Sequence, residues 1–369
     1  MVMYKRLLLI IFSTIAMSCN SEHSKKDNVT EKFNHRIDSL RIAYMIPGLS
    51  LGISQNDSVL LKSNFGFADI DNEIPVTADT PFRIASLTKP IFTTVFMYLE
   101  EQEKVDLDWR IKDYVPHYLE RCRKTLEYFN SEMPEYAFLL NEYRSERDDI
   151  LIKHHLSHTA EKQPGTSYKY NGLLFGMLSA VLKTSTGIDF DTWADSLIIQ
   201  RLNLKHSVSS QLDVSKERII NQIALPYSAT SKSTFVLSDF PNKDLNAGAG
   251  MVSSVSDLLR FDQAFDKNQL ITEDSKKKML TPFELDNGKI SPYGYGWFIQ
   301  NYNNYTVLWH YGSQPDAYSG LYVKILEKDL TLIMLANSDG LSNTFDLGKG
   351  DLTNSPFART FLDLFLNEK

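Results

Sequence analysis

The spacing of apolar side chains divides the chain into strand-like segments near both ends and helical segments between them. Apolar residues recur every three or four positions across 29–45, which predicts an amphipathic helix that ends before a Pro-Gly pair. Two runs with strand character follow, at 49–54 and 59–67, and turn-forming residues at 55–57 separate them. The N-terminal part of the fold is therefore expected to be a helix followed by a β-hairpin.

The middle of the chain has mainly helical periodicity. A strong helix is predicted at about 86–103, and helical patterns prevail over 109–204. Within that range, 120–149 is charged and rich in tyrosine but carries no obvious chemistry, so we expect it to be a solvated helical insertion. A further helix is predicted at about 256–265.

Strand-like runs return in the C-terminal third, at 296–300, 320–326 and 330–336, and a final amphipathic helix is predicted at about 356–366. Strands at both ends of a chain with helices between them predict an α+β fold. We expect one antiparallel sheet, built from the N- and C-terminal segments and flanked by helices, with a helical region of about 86–245 inserted between them.

The first 28 residues have the pattern of a targeting segment. Two basic residues precede an apolar run over 7–17 that is too short to span a bilayer, and small residues lead into Cys19. This pattern resembles a bacterial lipobox. It predicts a lipoprotein signal peptide over 1–18, lipidation of Cys19 and a polar tether over 19–28. The alternative is a plain secretory signal with an incidental Cys19.

These features indicate the compartment and the domain organisation. We expect an exported protein that an N-terminal lipid anchors to a membrane of the bacterial cell envelope, with one domain over 29–369. Because Cys19 and Cys122 are the only two cysteines, no intrachain disulfide is expected. With a net charge of −7 and no basic face, the chain gives no reason to expect a nucleic-acid partner. Nothing in the sequence indicates an oligomeric state.

Ser86 and Lys89 form a Ser-x-x-Lys motif at the start of the first predicted helix of the middle region. Residues three apart lie on the same side of a helix, so the Lys89 amine can reach the Ser86 hydroxyl. A serine becomes a good nucleophile when a neighbouring base takes its proton, and a lysine can be that base if burial lowers its pKa. The motif alone is weak support, because Ser275 and Lys278 repeat it in a lysine-rich segment.

The residues around Ser86 closely resemble the nucleophile segment of the class C β-lactamase and penicillin-binding-protein-like serine hydrolases. The resemblance extends over nearly the whole mature chain, because further motifs of that family follow in the family's order. The matching segments are Gly66–Asp69, Pro75–Val76, Asp79–Pro90, His155–Thr159, Pro164–Thr166, Gly248–Met251, Gly294–Trp297 and His310–Gly312. The resemblance implies a β-lactamase/transpeptidase-like fold and a serine hydrolase that forms an acyl-enzyme.

Counting from Pro164–Thr166 places the tyrosine of the family's Tyr-x-Asn motif at Tyr170, with Tyr168 as its rival. The resemblance implies that this tyrosine relays protons to and from the attacking and leaving groups. The family's asparagine falls on Gly172, although Asn171 lies next to it. That asparagine resembles a clamp for the substrate amide in β-lactamases, so its absence disfavours efficient hydrolysis of β-lactams.

The third family motif is His310-Tyr311-Gly312-Ser313, where penicillin-binding enzymes usually carry Lys-Thr-Gly. The resemblance implies that His310 bonds the catalytic tyrosine or a substrate carboxylate. It also implies that Tyr311 and Gly312 belong to the substrate-binding strand, and that the backbone N–H groups of Ser86 and Ser313 form the oxyanion hole. For His310 the alternative is a buried strand histidine bonded to a neighbour.

One departure from the family concerns the wall of the active site. Only residues 160–163 separate two of the motifs, whereas many relatives carry several dozen residues there as part of that wall. A short segment predicts a more open cleft, unless 120–149 folds over to replace the wall.

No metal or cofactor is expected. His154, His155 and His158 cluster, but two of them are adjacent and no Cys or carboxylate completes a usual ligand spacing. No glycine-rich phosphate loop follows a strand.

Together these features predict a serine hydrolase that cleaves esters or amides through an acyl-enzyme on Ser86. The expected partner is a small ester or amide substrate or a peptide, including D-amino-acid peptides of the cell wall. Two alternatives stay open: a true β-lactamase, and a non-catalytic binding or sensor protein with the same fold. Retention of Ser86, Lys89 and Tyr170 argues against the non-catalytic alternative.

Overall fold

The computed structural model describes residues 29–231, 234–239 and 246–366. The predicted signal peptide, Cys19 and the predicted tether lie outside these residues. Lipidation and export are therefore predictions from the sequence.

An antiparallel sheet of seven strands lies at the centre of the fold. The described residues form the strands β1 (Gly48–Gln55), β2 (Ser58–Asp69), β3 (Ile74–Pro75), β4 (Phe82–Arg83), β5 (Tyr227–Ser231), β6 (Thr234–Leu237), β7 (Val252–Ser253), β8 (Phe298–Tyr302), β9 (Tyr305–Gln314), β10 (Tyr318–Ile325) and β11 (Leu330–Ala336). The order across the large sheet is β3-β2-β1-β11-β10-β9-β8, and β4–β7 and β5–β6 form two small pairs. The two ends of the chain meet where β1 pairs with β11, with Leu49 opposite Ala336. This arrangement confirms the predicted sheet built from both termini.

Helices make up a large part of the described chain outside the strands. They are α1 (29–43), α2 (Thr88–Glu101), α3 (Ile111–Tyr114), α4 (Tyr118–Glu132), α5 (Ile152–Leu156), α6 (Gly172–Gly176), α7 (Leu178–Thr186), α8 (Phe190–Ala194), α9 (Glu217–Ile220), α10 (Asn246–Ala249), α11 (Val255–Asp266), α12 (Glu273–Met279) and α13 (Pro356–Leu366). Among the described residues no single helix is long and apolar enough to cross a membrane. One bent pair of segments, Gly172–Thr186 with Phe190–Gln200, meets the criteria of length and composition only when the two are combined.

Helices cover both faces of the sheet, so its central strands are apolar on both sides. On one face α1 and α13 pack against the sheet, and the rings of Phe33 and Phe361 lie 6.0 Å apart between centroids. On the other face α2, α11 and the helical region enclose a larger core that includes Phe92 and Phe261. Burial of both faces explains why β11 is a nearly continuous apolar run rather than an alternating one.

The C-terminal third contributes four strands to the large sheet, one more than the three that the pattern predicts. The additional strand, β9, carries His310 and Gly312. Its polar and apolar residues do not alternate, because Trp309 and His310 point to opposite faces and are both fully buried. The first predicted strand is also displaced, from 296–300 to β8.

The predicted helical insertion is helical, but it is not solvated throughout. Helix α4 exposes most of its side chains, yet Tyr118 is buried and its hydroxyl contacts that of Tyr143. The Tyr143 hydroxyl in turn lies 2.9 Å from His155 Nε2. The insertion therefore packs against the helical half of the protein, and it continues into a 3-10 helix over Pro134–Leu139.

Candidate active site

Ser86 lies in a tight turn where the short strand β4 runs into helix α2. The turn is a 3-10 helix over Ala85–Leu87, and Ala85 has a left-handed backbone with a φ of 49°. Strand β4 pairs with β7, and the Thr88 hydroxyl accepts a hydrogen bond from the Met251 N–H at 3.3 Å. Strained backbone that its neighbours hold in place is common at catalytic positions. The fold therefore fixes Ser86 just before the first turn of α2.

Lys89 is buried and contacts the Ser86 hydroxyl. Its Nζ atom lies 2.8 Å from Ser86 Oγ and donates to the Gly248 carbonyl oxygen at 2.8 Å. Only 1% of Lys89 is exposed, and Nζ lies 5.3 Å from the ring centroids of both Tyr170 and Phe175. Because burial penalises the charged amine, the pKa of Lys89 falls to about 7. Near neutral pH a large share of the Lys89 side chains is therefore uncharged and able to accept a proton.

The second copy of the Ser-x-x-Lys motif has a different environment. Thr272 caps helix α12 by accepting a hydrogen bond from the Ser275 N–H at 3.3 Å. The side chain of Lys278 is half exposed and forms an ion pair with Glu100 at 2.8 Å. In this copy Ser275 takes part in capping a helix and Lys278 forms a surface ion pair. Of the two copies, only Ser86 and Lys89 are in contact with each other in a buried site.

Of the two rival tyrosines, Tyr170 lies beside Ser86 and Lys89. The Tyr168 hydroxyl instead donates to the Gly348 carbonyl oxygen at 3.0 Å. The Tyr170 hydroxyl is buried without a hydrogen bond of ordinary geometry, and the Ser86 side chain beside it acts against the effect of burial on its pKa. Burial is the larger effect and raises the pKa of Tyr170 well above its usual value. Its phenol therefore keeps its proton at neutral pH.

His158 holds the chain on both sides of Tyr170. Its backbone is left-handed, with a φ of 56°, and its carbonyl oxygen accepts from the Lys169 N–H at 2.9 Å. Its Nδ1 atom accepts from the Asn171 N–H at 3.1 Å, and the His158 and Tyr170 rings are 4.4 Å apart. Burial lowers the pKa of His158 well below its usual value, so the ring is neutral and its proton is on Nε2.

Glu161 is a buried carboxylate that ties together the side chains of the same two flanking residues. It accepts from Lys169 Nζ at 2.7 Å and from Asn171 Nδ2 at 2.7 Å. The Asn171 side-chain oxygen also caps helix α6, because it accepts from the Leu174 N–H at 3.1 Å. Asn171 is fully engaged in these structural bonds and therefore does not replace the family's asparagine.

Gly172, at the position of that asparagine, faces Lys89. A methyl group added to Gly172 would lie 3.7 Å from Lys89 Nζ, which is an ordinary van der Waals contact. A Cβ atom would therefore fit at this position. Because glycine has no side chain, Gly172 presents no side-chain amide to a substrate.

His310 is buried in β9, and both of its ring nitrogens have partners. Nδ1 donates to the Tyr311 carbonyl oxygen at 2.8 Å, and Nε2 accepts from the Tyr293 hydroxyl at 2.9 Å. The expected hydrogen bond to Tyr170 is absent, and the two ring centroids are 5.9 Å apart. Burial and the nearby Lys89 lower the pKa of His310 well below its usual value. The geometry matches the alternative reading of a neutral strand histidine bonded to its neighbours.

Strand β9 passes directly against the turn that carries Ser86. A methyl group on Gly312 would come within 2.5 Å of the Ile84 carbonyl oxygen, so glycine is needed for this approach. Ser313 follows and lines the adjoining cleft. Strand β10 pairs with one edge of β9 at Ser313, but β8 pairs with the other edge only as far as Trp309, so no described strand covers that second edge beside Ser313. Outward-facing N–H groups on this edge can therefore donate to a bound substrate.

The cleft beside these residues has a volume of about 780 Å³, and the insertion supplies part of its wall. Its lining includes Tyr170, Gly172, Tyr311, Ser313, Phe138 and Leu139. Phe138 and Leu139 belong to the 3-10 helix within the insertion, so the insertion does replace the wall that the short 160–163 segment lacks. A groove of similar size between α1 and α13 contains none of the predicted site residues.

The clustered histidines of α5 are bonded within the fold. His154 Nδ1 accepts from the Leu151 N–H at 3.0 Å, and His155 Nδ1 lies 2.7 Å from the Leu174 carbonyl oxygen. Within the described ranges, no group of three or more His, Cys, Asp or Glu side chains is arranged to hold a metal ion.

The sequence profile of the family described as Beta-lactamase matches residues 33–350. The chain belongs to the Beta-lactamase family. Proteins of this fold include penicillin-binding proteins, amidases and esterases, and an acyl-enzyme mechanism on a serine is general among them.

Two relatives in this family differ in their described activity. A penicillin-binding protein of Bacillus subtilis is 25% identical over 333 residues, which cover 85% of this chain and 73% of the relative. A D-aminopeptidase of Gluconobacter oxydans is 22% identical over 279 residues, which cover 73% of this chain and 52% of the relative. This chain thus spans about half the length of that D-aminopeptidase.

Solved structures with the same fold cover nearly the whole described chain. The D-amino acid amidase of Ochrobactrum anthropi, complexed with L-phenylalanine amide, has a TM-score of 0.67 at 19% identity and covers 91% of this chain and 98% of its own. EstCE1, a hydrolase with promiscuous acyltransferase activity, has a TM-score of 0.65 at 16% identity and covers 92% and 98%. These similarities confirm the predicted β-lactamase/transpeptidase-like fold.

Sequence reasoning missed three buried residues of this Beta-lactamase family site. His158 lies inside a recognised motif, but its contacts with the neighbours of Tyr170 depend on a left-handed turn. Glu161 lies in a short segment without a clear pattern. Tyr293 directly precedes the Gly294–Trp297 motif, which was the one available signal that its segment lies near the site.

Proposed function

We propose that this chain is a serine hydrolase that cleaves esters or amides by two-step acyl transfer through Ser86. The observation that carries the proposal is the buried amine of Lys89, 2.8 Å from the Ser86 hydroxyl and with a pKa of about 7. A serine needs a base at hydrogen-bond distance, and this amine is a suitable one near neutral pH.

In the first step, the uncharged Lys89 amine takes the proton of Ser86 while Oγ bonds to the carbonyl carbon of the substrate. The Gly248 carbonyl oxygen binds one amine hydrogen, which allows the nitrogen lone pair to face the Ser86 hydroxyl. The substrate oxygen gains negative charge, and we assign its stabilisation to the backbone N–H groups of Ser86 and Ser313. Such donors contribute roughly 2.7–4 kcal/mol each to transition-state stabilisation.

In the second half of acylation, Tyr170 donates its proton to the leaving group as the bond between that group and the carbonyl carbon breaks. Burial keeps the phenol protonated until this moment. The proton held by Lys89 then returns to Tyr170. Water attacks the acyl-enzyme by the reverse sequence of proton transfers, which releases the acid and restores Ser86.

The residues of the third motif support this chemistry in different ways. Gly312 allows β9 to approach the nucleophile turn, and Tyr311 lines the cleft. We assign His310 a positioning role, because its neutral ring joins the Tyr293 hydroxyl to the backbone of β9. Because the His310 ring is neutral and both of its nitrogens are bonded, it offers no charged partner to a substrate carboxylate.

Esters and amides, including peptides with D-amino acids, form the substrate class that we propose. The D-aminopeptidase belongs to the same family, and the D-amino acid amidase and EstCE1 share the fold. A D-amino-acid peptide of the cell wall would also suit the envelope location expected from the N-terminal sequence. True β-lactamase activity has less support, because Gly172 lacks the amide and His310 replaces a lysine.

We further propose that the protein is exported and held at a membrane of the cell envelope by a lipid on Cys19. The support is the lipobox-like sequence that precedes Cys19. In the native bacterium, a Cys19→Ala variant should lose incorporation of labelled fatty acid and leave the membrane fraction. Continued incorporation of label by this variant would refute the assignment.

The catalytic proposal is tested by labelling with a fluorophosphonate probe and by hydrolysis of a nitrophenyl ester. Ser86→Ala should abolish both, because it removes the nucleophile. Ser275→Ala is the matched control, since it alters the same motif elsewhere, and it should retain both. Labelling of the Ser86→Ala protein at wild-type level would disprove the assignment.

A further inference from the structure

Phe138, within the insertion, places a large apolar side chain at the substrate cleft. It lies in the 3-10 helix Pro134–Leu139, lines the cleft and is 52% exposed. None of the family motifs recognised in the sequence includes this segment. The significance of Phe138 therefore has to be judged from its contacts in this chain.

Two hydrogen bonds fasten this part of the wall to the residues that flank Tyr170. Lys169 Nζ donates to the Phe138 carbonyl oxygen at 2.9 Å, and Asn171 Nδ2 donates to the Leu139 carbonyl oxygen at 2.6 Å. Lys169 Nζ also lies 5.8 Å from the centroid of the Phe138 ring. The wall and the Tyr170 segment are thus joined directly, which gives Phe138 a defined place in the cleft.

Six of the fourteen residues that line the cleft are aromatic or aliphatic. They are Phe138, Leu139, Tyr168, Tyr170, Tyr311 and Leu347. The two lysines of the described lining are both paired, Lys169 with Glu161 at 2.7 Å and Lys349 with Asp346 at 2.6 Å. This composition suits an uncharged apolar group better than a carboxylate.

We propose that Phe138 and Leu139 bind the apolar part of the substrate and thereby determine specificity. The inference rests on the function proposed for Ser86 and adds the substrate class: an ester or amide with an uncharged aliphatic or aromatic group close to the scissile carbonyl. Contact with such a group removes apolar surface of both partners from water. An acetyl group is too small to gain much from this contact.

The test compares nitrophenyl acetate with nitrophenyl hexanoate in variants of the full chain. Phe138→Ala should lower kcat/KM for the hexanoate by at least about tenfold, while the value for the acetate changes by less than about twofold. Phe138→Leu should restore most of the loss, because leucine keeps an apolar side chain. Tyr128→Ala is the control, since it removes an exposed aromatic side chain from the same insertion outside the cleft lining.

A second series of esters keeps the acetyl group and lengthens the alcohol. Comparison of the two series shows whether Phe138 and Leu139 contact the acyl side or the alcohol side of the scissile bond. Selective loss with the longer substrates in either series supports the proposal. Equal effects on short and long substrates in both series, or no effect, would overturn it. Fluorophosphonate labelling of Ser86 in each variant separates this result from a failure of the catalytic assignment, because that failure would appear as labelling of Ser86→Ala.

Discussion

The carbonyl oxygen and the Nδ1 atom of His158 bind the backbone on either side of Tyr170, and the two rings lie 4.4 Å apart. The proposed proton donor is therefore positioned by a residue from a separate segment. That segment turns back through the left-handed conformation of His158, and Glu161 strengthens the same contact through its bonds to the flanking side chains.

Replacing His158 should impair the chemical step more than substrate binding. In His158→Ala the acceptor for the Asn171 N–H is lost, so Tyr170 is held less firmly. We expect kcat for nitrophenyl acetate to fall by about 10- to 100-fold, with KM changed by less than about threefold. Asparagine tolerates a left-handed backbone and can accept the same hydrogen bond, so His158→Asn should recover most of the rate. Equal losses in the two variants, at matched melting temperatures, would contradict a positioning role.

The activity should depend on pH through Lys89. Only the uncharged amine can accept the proton of Ser86, and burial lowers its pKa to about 7. We therefore expect kcat/KM for an uncharged ester to rise by about tenfold per pH unit below neutrality and to level off above it. His158 and His310 are already neutral there, because burial lowers the pKa of both. A profile that is flat between about pH 6 and pH 8, on both sides of the expected pKa, would contradict the assignment of Lys89 as the base.

Lys89→Met should inactivate the protein and also stabilise it at neutral pH. The folded state lowers the pKa of Lys89 from 10.5 to about 7. Between these values the unfolded chain binds a proton that the folded chain does not, so wild-type stability is reduced as pH falls from about 10 to 7. At pH 7 we expect the Met variant to melt at least about 2 °C higher, and we expect the difference to shrink towards pH 10. A variant that melts lower than wild type at pH 7 would show that burial of the amine carries no such cost.

Gly172→Asn tests whether the missing asparagine of the family motif limits the hydrolysis of β-lactams. A Cβ atom at this position fits next to Lys89, and Gly172 lines the cleft, so a side-chain amide there can bind the amide of a β-lactam substrate. We expect turnover of nitrocefin to rise by at least about tenfold, the value of one added hydrogen bond. Gly172→Ala fills the same space without an amide and is the matched control. Similar nitrocefin rates in both variants would mean that the missing asparagine does not limit this activity.

The parts of the site that follow local rules could be predicted from the sequence. Ser86 and Lys89 are three residues apart on a helix start, and the register of the family motifs selected Tyr170 over Tyr168. The partner of His310 could not be foreseen, because Tyr293 reaches it only through the tertiary fold. The structure shows the same limitation for His158, whose contacts with the segment around Tyr170 need an unusual backbone angle.

The fold shows the same division between local and long-range information. The contribution of both chain ends to one sheet was predictable, since β1 has the alternation of a strand and β11 is a short apolar run, each near one end of the chain. Strand β9 was missed as a pattern, because burial on both faces removes the alternation that marks a strand. The insertion was predicted to be helical, but its return to the cleft at Phe138 depends on bonds to Lys169 and Asn171.

The central claim is that Ser86 forms the acyl-enzyme, and mass spectrometry of the protein, first intact and then as peptides, tests it most directly. The full chain is mixed with a panel of esters, D-amino-acid peptides and β-lactams, quenched in acid and then digested. We predict a mass increase equal to one acyl group, located on the Ser86 hydroxyl and absent from Ser86→Ala. An adduct on another residue, or an equal adduct in Ser86→Ala, would contradict the proposed mechanism.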